Sequence, residues 1–342
     1  MATAFAPTLS SNAEAGSVTI ESGAVLNGGT GALTIKRGPF INGGAGSWNN
    51  LGTFNPGTST VVFNYSGGTY SGTTDFYNLT ILHDTSKLTM QSGSVMRIAG
   101  TMVNNGNWEA DVFENTVEYN GTAQTILKPD GTQNAYYNLV LGGSGIKTMP
   151  ASSLLILGDY TLSGTASVSA TGALTIGDEF SIGENAAFTA DDFSHSIGGN
   201  VTNNGFLDAG NGTITMTGAS PQIFSGSSAT TFYNLTIDNA SGVTLNSSGL
   251  TTVTGTIRIN SGKKLDLAAG KHLTVSGSFI NSEGPVGFTI RSSETGTGSL
   301  LYDGAVDGTM ERYIPNDFKW HFLSSPVTSQ NIWPAFAPEP EE

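Results

Sequence analysis

The sequence has no cysteine among its 342 residues and only four histidines. Without cysteine, the chain has neither a disulfide-bonded scaffold nor a thiol mechanism. The histidines are not spaced from one another as metal-binding pairs usually are. We therefore expect no metal site, and no motif in the sequence indicates a cofactor.

Positive charge is scarce as well. The chain has 13 Lys and Arg against 27 Asp and Glu, which gives a net charge of −14. This balance leaves no basic patch, so a nucleic-acid partner is not expected. No apolar run approaches the ~20 residues of a membrane-spanning helix, so no transmembrane segment is predicted.

Helical periodicity is missing too, and Gly, at 46 residues, recurs too often for long helices. Apolar-Thr-apolar triplets occur instead. Period-two alternation places the two outer residues of a triplet on one face and the Thr on the other. The triplets predict short strands with one buried face, and they begin at Val18, Leu33, Leu79, Leu88, Leu174, Leu235, Val243, Leu273 and Phe288.

The triplets and similar short runs recur about every eight residues in the C-terminal part, with Gly, Asn and Ser between them. Three short strands with their turns make a coil of about 20–25 residues. The sequence therefore predicts an all-β parallel β-solenoid (β-helix) with roughly three-sided coils. About fifteen coils would form a rod of roughly 70 Å.

Composition also suggests boundaries along the chain. We expect an N-terminal extension at 1–16 and the solenoid repeat region at 17–302. Charge, Trp, His and Pro first appear together near residue 309, so 303–334 is interpreted as an atypical C-terminal cap or the start of a next module. The Pro-rich acidic residues 335–342 are expected to form a flexible tail.

One hexapeptide is repeated: FYNLTI occurs at 76–81 and 232–237, and YYNLVL at 136–141. The spacings of 60 and 96 residues are near multiples of a 20–24-residue coil. We therefore expect the copies to stack on one another as an aromatic ladder. Alternation predicts Tyr77, Leu79 and Ile81 on the core face, with Phe76 at a corner.

An Asn-Asn element precedes each copy of the hexapeptide, at 49–54, 104–108 and 203–207. Asn-Gly sequences supply the positive φ that tight corners need. Trp48 and Trp108 lie at corner positions of this unit, so we expect both to pack in the core.

The Asn-Asn-Gly element, FYNLTI and the closing block ERYIPNDFKWHFLSSPV at 311–327 together resemble the repetitive β-helical surface proteins of Bacteroidota. The resemblance covers about residues 17–327. Many members of that family are exported by type IX secretion. The resemblance implies a secreted or cell-surface location, but it implies no particular activity.

Candidate catalytic residues are few. The best candidate for a catalytic cluster is Asp191, Asp192 and His195. We interpret it as a polar turn between coils, because no residue elsewhere in the sequence is indicated to join it in a site. The remaining acidic side chains are scattered. No catalytic residue is assigned, although carboxylates of neighbouring coils could still meet. The acidic stretches in question contain Glu109, Asp111, Glu114, Asp178 and Glu179.

Two kinds of surface could contact a partner. The outward Thr residues could form a flat hydroxyl face for ice or a crystalline glycan, but their irregular spacing favours ordinary solvent-facing strand positions. Trp320 and Trp333 lie in the atypical C-terminal part and are the candidate partner contacts.

Two functions remain open at the level of sequence. The first is a non-enzymatic extracellular structural or adhesive protein, a rigid rod that acts as a stalk, spacer or fibre subunit and stacks end to end with copies of itself. The alternative is a glycan-binding or glycan-cleaving β-helix, for which surface glycans would be the partner.

Overall fold

The computed structural model describes residues 6–36, 46–82, 86–111 and 114–315. The chain winds into a β-solenoid of about 14 turns with almost no helix. Among the described strand pairings, the hairpin β39–β40 (Ser292–Ser293 and Gly296–Thr297) is antiparallel and the others are parallel. The prediction of an all-β, three-sided parallel solenoid is confirmed.

The strands follow one another around three sides in a fixed rotation. Side one contains β1 Ala13–Ala15, β4 Ala32–Lys36, β7 Thr60–Asn64, β9 Asn78–Ile81, β12 Met102–Asn104, β15 Thr122–Thr125, β18 Ser144–Thr148, β21 Thr165–Ser169, β24 Ala187–Thr189, β27 Phe206–Asp208, β30 Thr230–Phe232, β33 Thr251–Val253, β36 His272–Val275 and β41 Ser299–Tyr302.

Side two follows side one in each coil. It contains β2 Val18–Ile20, β5 Ser47–Asn50, the first part of β8 Gly68–Phe76, β10 Lys87–Met90, β13 Asn107–Glu109, β16 Ala135–Tyr136, β19 Leu154–Ile156, β22 Leu174–Ile176, β25 Ser194–Ile197, β28 Thr213–Met216, β31 Asn234–Ile237, β34 Thr256–Ile259 and β37 Ser278–Asn281.

Side three completes each coil. It contains β3 Val25–Asn27, β6 Thr53–Asn55, the second part of β8, β11 Val95–Ile98, β14 Thr116–Tyr119, β17 Asn138–Leu141, β20 Tyr160–Leu162, β23 Phe180–Ile182, β26 Val201–Asn203, β29 Gln222–Ser225, β32 Val243–Leu245, β35 Leu265–Leu267, β38 Phe288–Ile290 and β42 Thr309–Met310. A 3-10 turn at Gly284–Val286 lies between β37 and β38.

The parallel ladder extends on both sides of the predicted repeat region 17–302. Strand β1 pairs with β4, and β42 pairs with β38. The described part of residues 1–16 therefore contributes a strand to the first coil. The predicted tail at 335–342 and most of the predicted cap lie outside the described residues.

The core is a single column of apolar side chains enclosed by the three sides. The nine predicted triplets all lie in strands, and their outer residues point inward while the Thr points outward. Trp48 and Trp108 are fully buried, as predicted. Stacked rings occur where registers align, as for Tyr160 and Phe180. Their ring centroids are 5.2 Å apart and their ring planes are nearly parallel.

The prediction for Tyr77 was wrong. Phe76 is buried, whereas Tyr77 is 37% exposed. The corner between β8 and β9 falls at Tyr77, so the inward-outward alternation starts again on the next side. Leu79 and Ile81 do point into the core.

The three copies of the hexapeptide also do not stack on one another. Tyr77 lies at the corner between sides three and one, Tyr137 between sides two and three, and Tyr233 between sides one and two. Coils differ in length: Thr60 pairs with Ala32 of the coil before it and with Asn78 of the coil after it. The spacings between the copies are therefore not whole numbers of coils. The sequence repeat describes a corner, and any of the three corners can use it.

Candidate functional site

The candidate partner contacts Trp320 and Trp333 lie outside the described residues. The other two tryptophans have structural positions in the core. The Trp48 indole N–H donates a 2.8 Å hydrogen bond to Thr74 Oγ1, and the Trp108 ring meets the Tyr136 ring edge-on.

His195 is a core residue of β25, so the prediction of a polar turn at this histidine was wrong. Its Nδ1 accepts a 3.1 Å hydrogen bond from the Leu174 backbone N–H, and its Nε2 lies 2.8 Å from the Ala190 carbonyl oxygen. Burial lowers the pKa of His195, which favours the neutral ring. Asp192 instead accepts a hydrogen bond from Asn211, so no acid-base pair is formed.

In the first acidic stretch, the carboxylates of Glu109 and Asp111 form an ion pair and hydrogen bonds within the fold. Glu109 forms a 2.9 Å ion pair with Lys87 and accepts hydrogen bonds from Thr89 and Thr132. Burial alone would raise the pKa of Glu109, but these bonds outweigh it and lower the pKa. Asp111 accepts a 2.6 Å hydrogen bond from the Gln133 backbone N–H.

The asparagine of the hexapeptide joins three coils. Asn138 Oδ1 accepts a 2.8 Å hydrogen bond from the Asp159 backbone N–H of the next coil. Its Nδ2 lies 3.4 Å from Thr116 Oγ1 of the preceding coil. The same contacts recur for Asn78 with Thr101 and Thr60, and for Asn234 with Thr256 and Thr213.

A glycine lies above each of these asparagines. A Cβ added at Gly158 would be 2.4 Å from Asn138 Oδ1, which real Cβ atoms essentially never reach. Gly100 and Gly255 have the same relationship to Asn78 and Asn234. The hexapeptide therefore needs a glycine at the matching corner of the next coil.

The Asn-Asn element forms a second kind of corner. The side chain of Asn203 is buried, and its Oδ1 accepts a 3.1 Å hydrogen bond from the Gly205 backbone N–H. Its Nδ2 donates a 2.8 Å bond to Thr230 of the next coil. The turn bond recurs between Asn50 and Gly52 and between Asn104 and Gly106.

Two buried glutamines, which were not predicted from the sequence, form a third corner device. Gln222 Oε1 accepts a hydrogen bond from the Gly218 N–H, and its Nε2 donates to Ile197 and Gly199 carbonyl oxygens one coil earlier. Gln124 repeats this pattern with Gly121, Ile98 and Gly100. One sequence pattern could have indicated this corner: in two places a Gln follows a Gly by three or four residues.

Lys147 is a buried cation that is hydrogen-bonded to the Gln124 corner. Its Nζ donates to Gly121 O at 2.6 Å and to Gln124 Oε1 at 2.7 Å. The neighbouring Ile146 is 65% exposed, the reverse of what hydrophobicity predicts. Burial lowers the pKa of Lys147 to about 8.

The second aromatic residue of each repeat copy, a tyrosine, points outward. Tyr77 and Tyr233 are 37% and 40% exposed, and Tyr137 is half-buried. The preceding aromatic residue of each copy is buried: Phe76, Tyr136 and Phe232. The fold therefore uses the first aromatic residue, and the second is available for contacts at the surface.

A shallow groove runs over six coils along the corner between sides two and three. Around Tyr137 its volume is about 390 Å³, and an adjoining part is about 350 Å³. Gly158, Gly177 and Gly198 form its floor, since they have no side chains to fill it. Exposed carboxylates of Glu114, Asp159 and Asp178 line the part around Tyr137.

The electrostatics of the groove are negative. Partial burial, followed by the charges of Glu114, Asp178 and Asp159, raises the pKa of Tyr137. Asp159 Oδ1 accepts a 3.0 Å hydrogen bond from the Glu179 backbone N–H. In the part of the chain that the structure describes, Glu114 and Asp178 have no hydrogen bond or ion pair through their carboxylates.

The outward hydroxyl residues form short rows. One such row lies on side two, where Thr175, Ser196, Thr215 and Thr236 are register partners; the row ends at Arg258.

A pocket of about 450 Å³ lies at the last described coil, with Phe288, Ile290 and Leu300 in its wall.

Within the described ranges, no three His, Cys, Asp or Glu side chains are grouped so that they could hold a metal ion. The same residues contain no helix that is long and apolar enough to cross a membrane.

Comparisons with protein-family models, curated proteins and solved structures found no match to this chain.

Proposed function

We propose that this chain is a non-enzymatic structural segment of a secreted or cell-surface protein, a rigid rod that acts as a stalk, spacer or fibre subunit. The observation that supports the proposal most is the continuous ladder of parallel coils around one apolar core. Each coil contacts mainly its neighbours, so length is built by repetition.

Bonds between coils support the same proposal. Asn and Gln side chains at the corners bind backbone groups or Thr hydroxyl groups of the coil before or after them. Such bonds resist sliding and bending of one coil against the next, which a spacer requires. They also account for the polar, weakly charged corners of the sequence without a catalytic role.

End-to-end association belongs to the same proposal. Strand edges at the end of a solenoid have unpaired N–H and C=O groups, and a head-to-tail contact between copies would pair them. Negative-stain electron microscopy of the purified chain over a range of concentrations tests this. Filaments with an axial repeat near one rod length support a fibre subunit, single rods support a stalk or spacer, and compact particles contradict both.

Glycan binding is the second candidate function. The groove around Tyr137 favours it, because an outward aromatic ring lies among hydrogen-bond acceptors on a lateral face of the rod.

A further inference from the structure

We propose that the groove around Tyr137 binds sugar residues of an uncharged polysaccharide, with the Tyr137 ring as the stacking platform and carboxylates as acceptors for sugar hydroxyls. This inference deepens the second candidate function and needs the proposed rod only as a scaffold.

The fold does not need the outward tyrosine of the repeat. At all three corners the preceding aromatic residue fills the core and the asparagine joins the coils, while the tyrosine points outward. An aromatic ring that packing does not require, and that returns in each copy, is available for recognition. Tyr137 lies in a groove that is lined by carboxylates.

The Tyr137 ring lies against the backbone of the next coil. A Cβ at Gly158 would lie 3.0 Å from Tyr137 Cε1, so the ring rests on the glycine backbone of the next coil. Gly177, one coil further, also lacks a side chain, so the groove stays open along the rod. Contact with the backbone holds the ring in place before a ligand binds, which lowers the entropy lost on binding.

The lining of the groove combines an aromatic ring with hydrogen-bond acceptors. Glu114 and Asp178 offer exposed carboxylate oxygens that accept hydrogen bonds from sugar hydroxyls, and the ring packs on the apolar C–H face of a sugar. The negative charge of Glu114, Asp159 and Asp178 repels carboxylate- or sulfate-bearing glycans. The fitting ligand class is therefore a neutral polysaccharide.

Affinity gel electrophoresis tests the proposal. The full chain is run in native gels that contain galactomannan, xyloglucan, hydroxyethyl cellulose or, as the anionic arm, alginate. We expect retardation by at least one neutral polysaccharide and none by alginate. The Tyr137→Ala variant should bind about tenfold more weakly, corresponding to ~1.4 kcal/mol of lost stacking.

Two variants serve as controls. Tyr137→Phe keeps the ring and should keep most of the binding, and Tyr77→Ala removes an outward tyrosine at another corner and should bind like wild type. The proposal is overturned by no retardation in any neutral gel, by equal retardation of Tyr137→Ala, or by retardation in alginate alone. Circular dichroism checks that each variant is folded. A negative binding result would overturn the glycan site but would not count against the proposed structural rod.

Discussion

Asn138 and Asp159 are joined by a hydrogen bond of 2.8 Å from the Asp159 backbone N–H to Asn138 Oδ1, although they are 21 residues apart in sequence. Asp159 repeats the arrangement with the Glu179 N–H of the following coil. Side chains at one corner thus connect successive coils, and the repeated hexapeptide supplies one of these connections at each of the three corners.

Removing this connection should weaken the rod. Asn138→Ala loses the acceptor for Asp159 N–H, and we expect a loss of about 1 kcal/mol in the free energy of unfolding. Asn138→Asp keeps an acceptor at the same position, as Asp159 does naturally, and should retain most of the stability. Urea denaturation followed by circular dichroism measures both, and equal losses would contradict the role assigned to Oδ1.

The glycine above the hexapeptide asparagine should resist substitution. In Gly158→Ala the new Cβ would meet Asn138 Oδ1 at 2.4 Å, which requires the corner to shift. The matched control is Gly183→Ala, where the nearest atom is Leu162 O at 3.1 Å. We expect a drop in the urea midpoint that is clearly larger for Gly158→Ala, and a larger effect at Gly183 would count against the steric account.

Lys147 should make stability depend on pH in the alkaline range. Its pKa is about 8 in the folded chain against 10.5 when unfolded, so the unfolded chain holds more protons between these values. Stability should therefore rise with pH above about 8, by up to ~1.4 kcal/mol per pH unit.

The control for this prediction is Lys147→Met, which removes the titrating group and should flatten the rise. The rise in stability should end near pH 10. Burial raises the pKa of Tyr119 to about 12, so above pH 10 this tyrosine ionises in the unfolded chain but not in the folded chain, and stability falls. Urea midpoints at pH 7.5, 8.5 and 9.5 provide the measurement. A falling midpoint in wild type would contradict the buried position of the lysine.

His195 should make the chain sensitive to mild acid. Burial lowers its pKa in the folded state, so below about pH 6.5 the unfolded chain holds more protons and stability falls as pH drops. His195→Gln can still accept from Leu174 and donate to Ala190, but it does not titrate. Thermal unfolding at pH 7 and pH 5 should show a smaller acid loss for this variant than for wild type. An identical loss would mean that other groups cause it.

The strands and the class of fold could be predicted because they follow local rules. Triplets such as Leu235-Thr236-Ile237 show their buried face by alternation alone, and their spacing indicates the length of a coil. Trp48 and Trp108 could also be assigned to the core because they are large aromatic residues next to turn residues. These features do not depend on which coil lies next to which.

Other features depend on register, which the spacing of motifs did not reveal. The outward position of Tyr77 follows from a corner at that residue, and the different corners of the three copies follow from coils of unequal length. The inward Lys147 is stabilised by Gly121 and Gln124 of the preceding coil, which only the folded chain brings close. The groove at Tyr137 likewise combines residues from successive coils.

The distance between two spin labels along the rod tests the central claim most directly. Because the chain has no cysteine, Thr34→Cys and Thr274→Cys provide two unique labelling sites on outward positions of side one. Strands β4 and β36 are eleven coils apart. Double electron-electron resonance should therefore give one narrow distance distribution centred at roughly 50 Å. A broad distribution, or a narrow one centred at a clearly shorter distance, would contradict a continuous rigid solenoid.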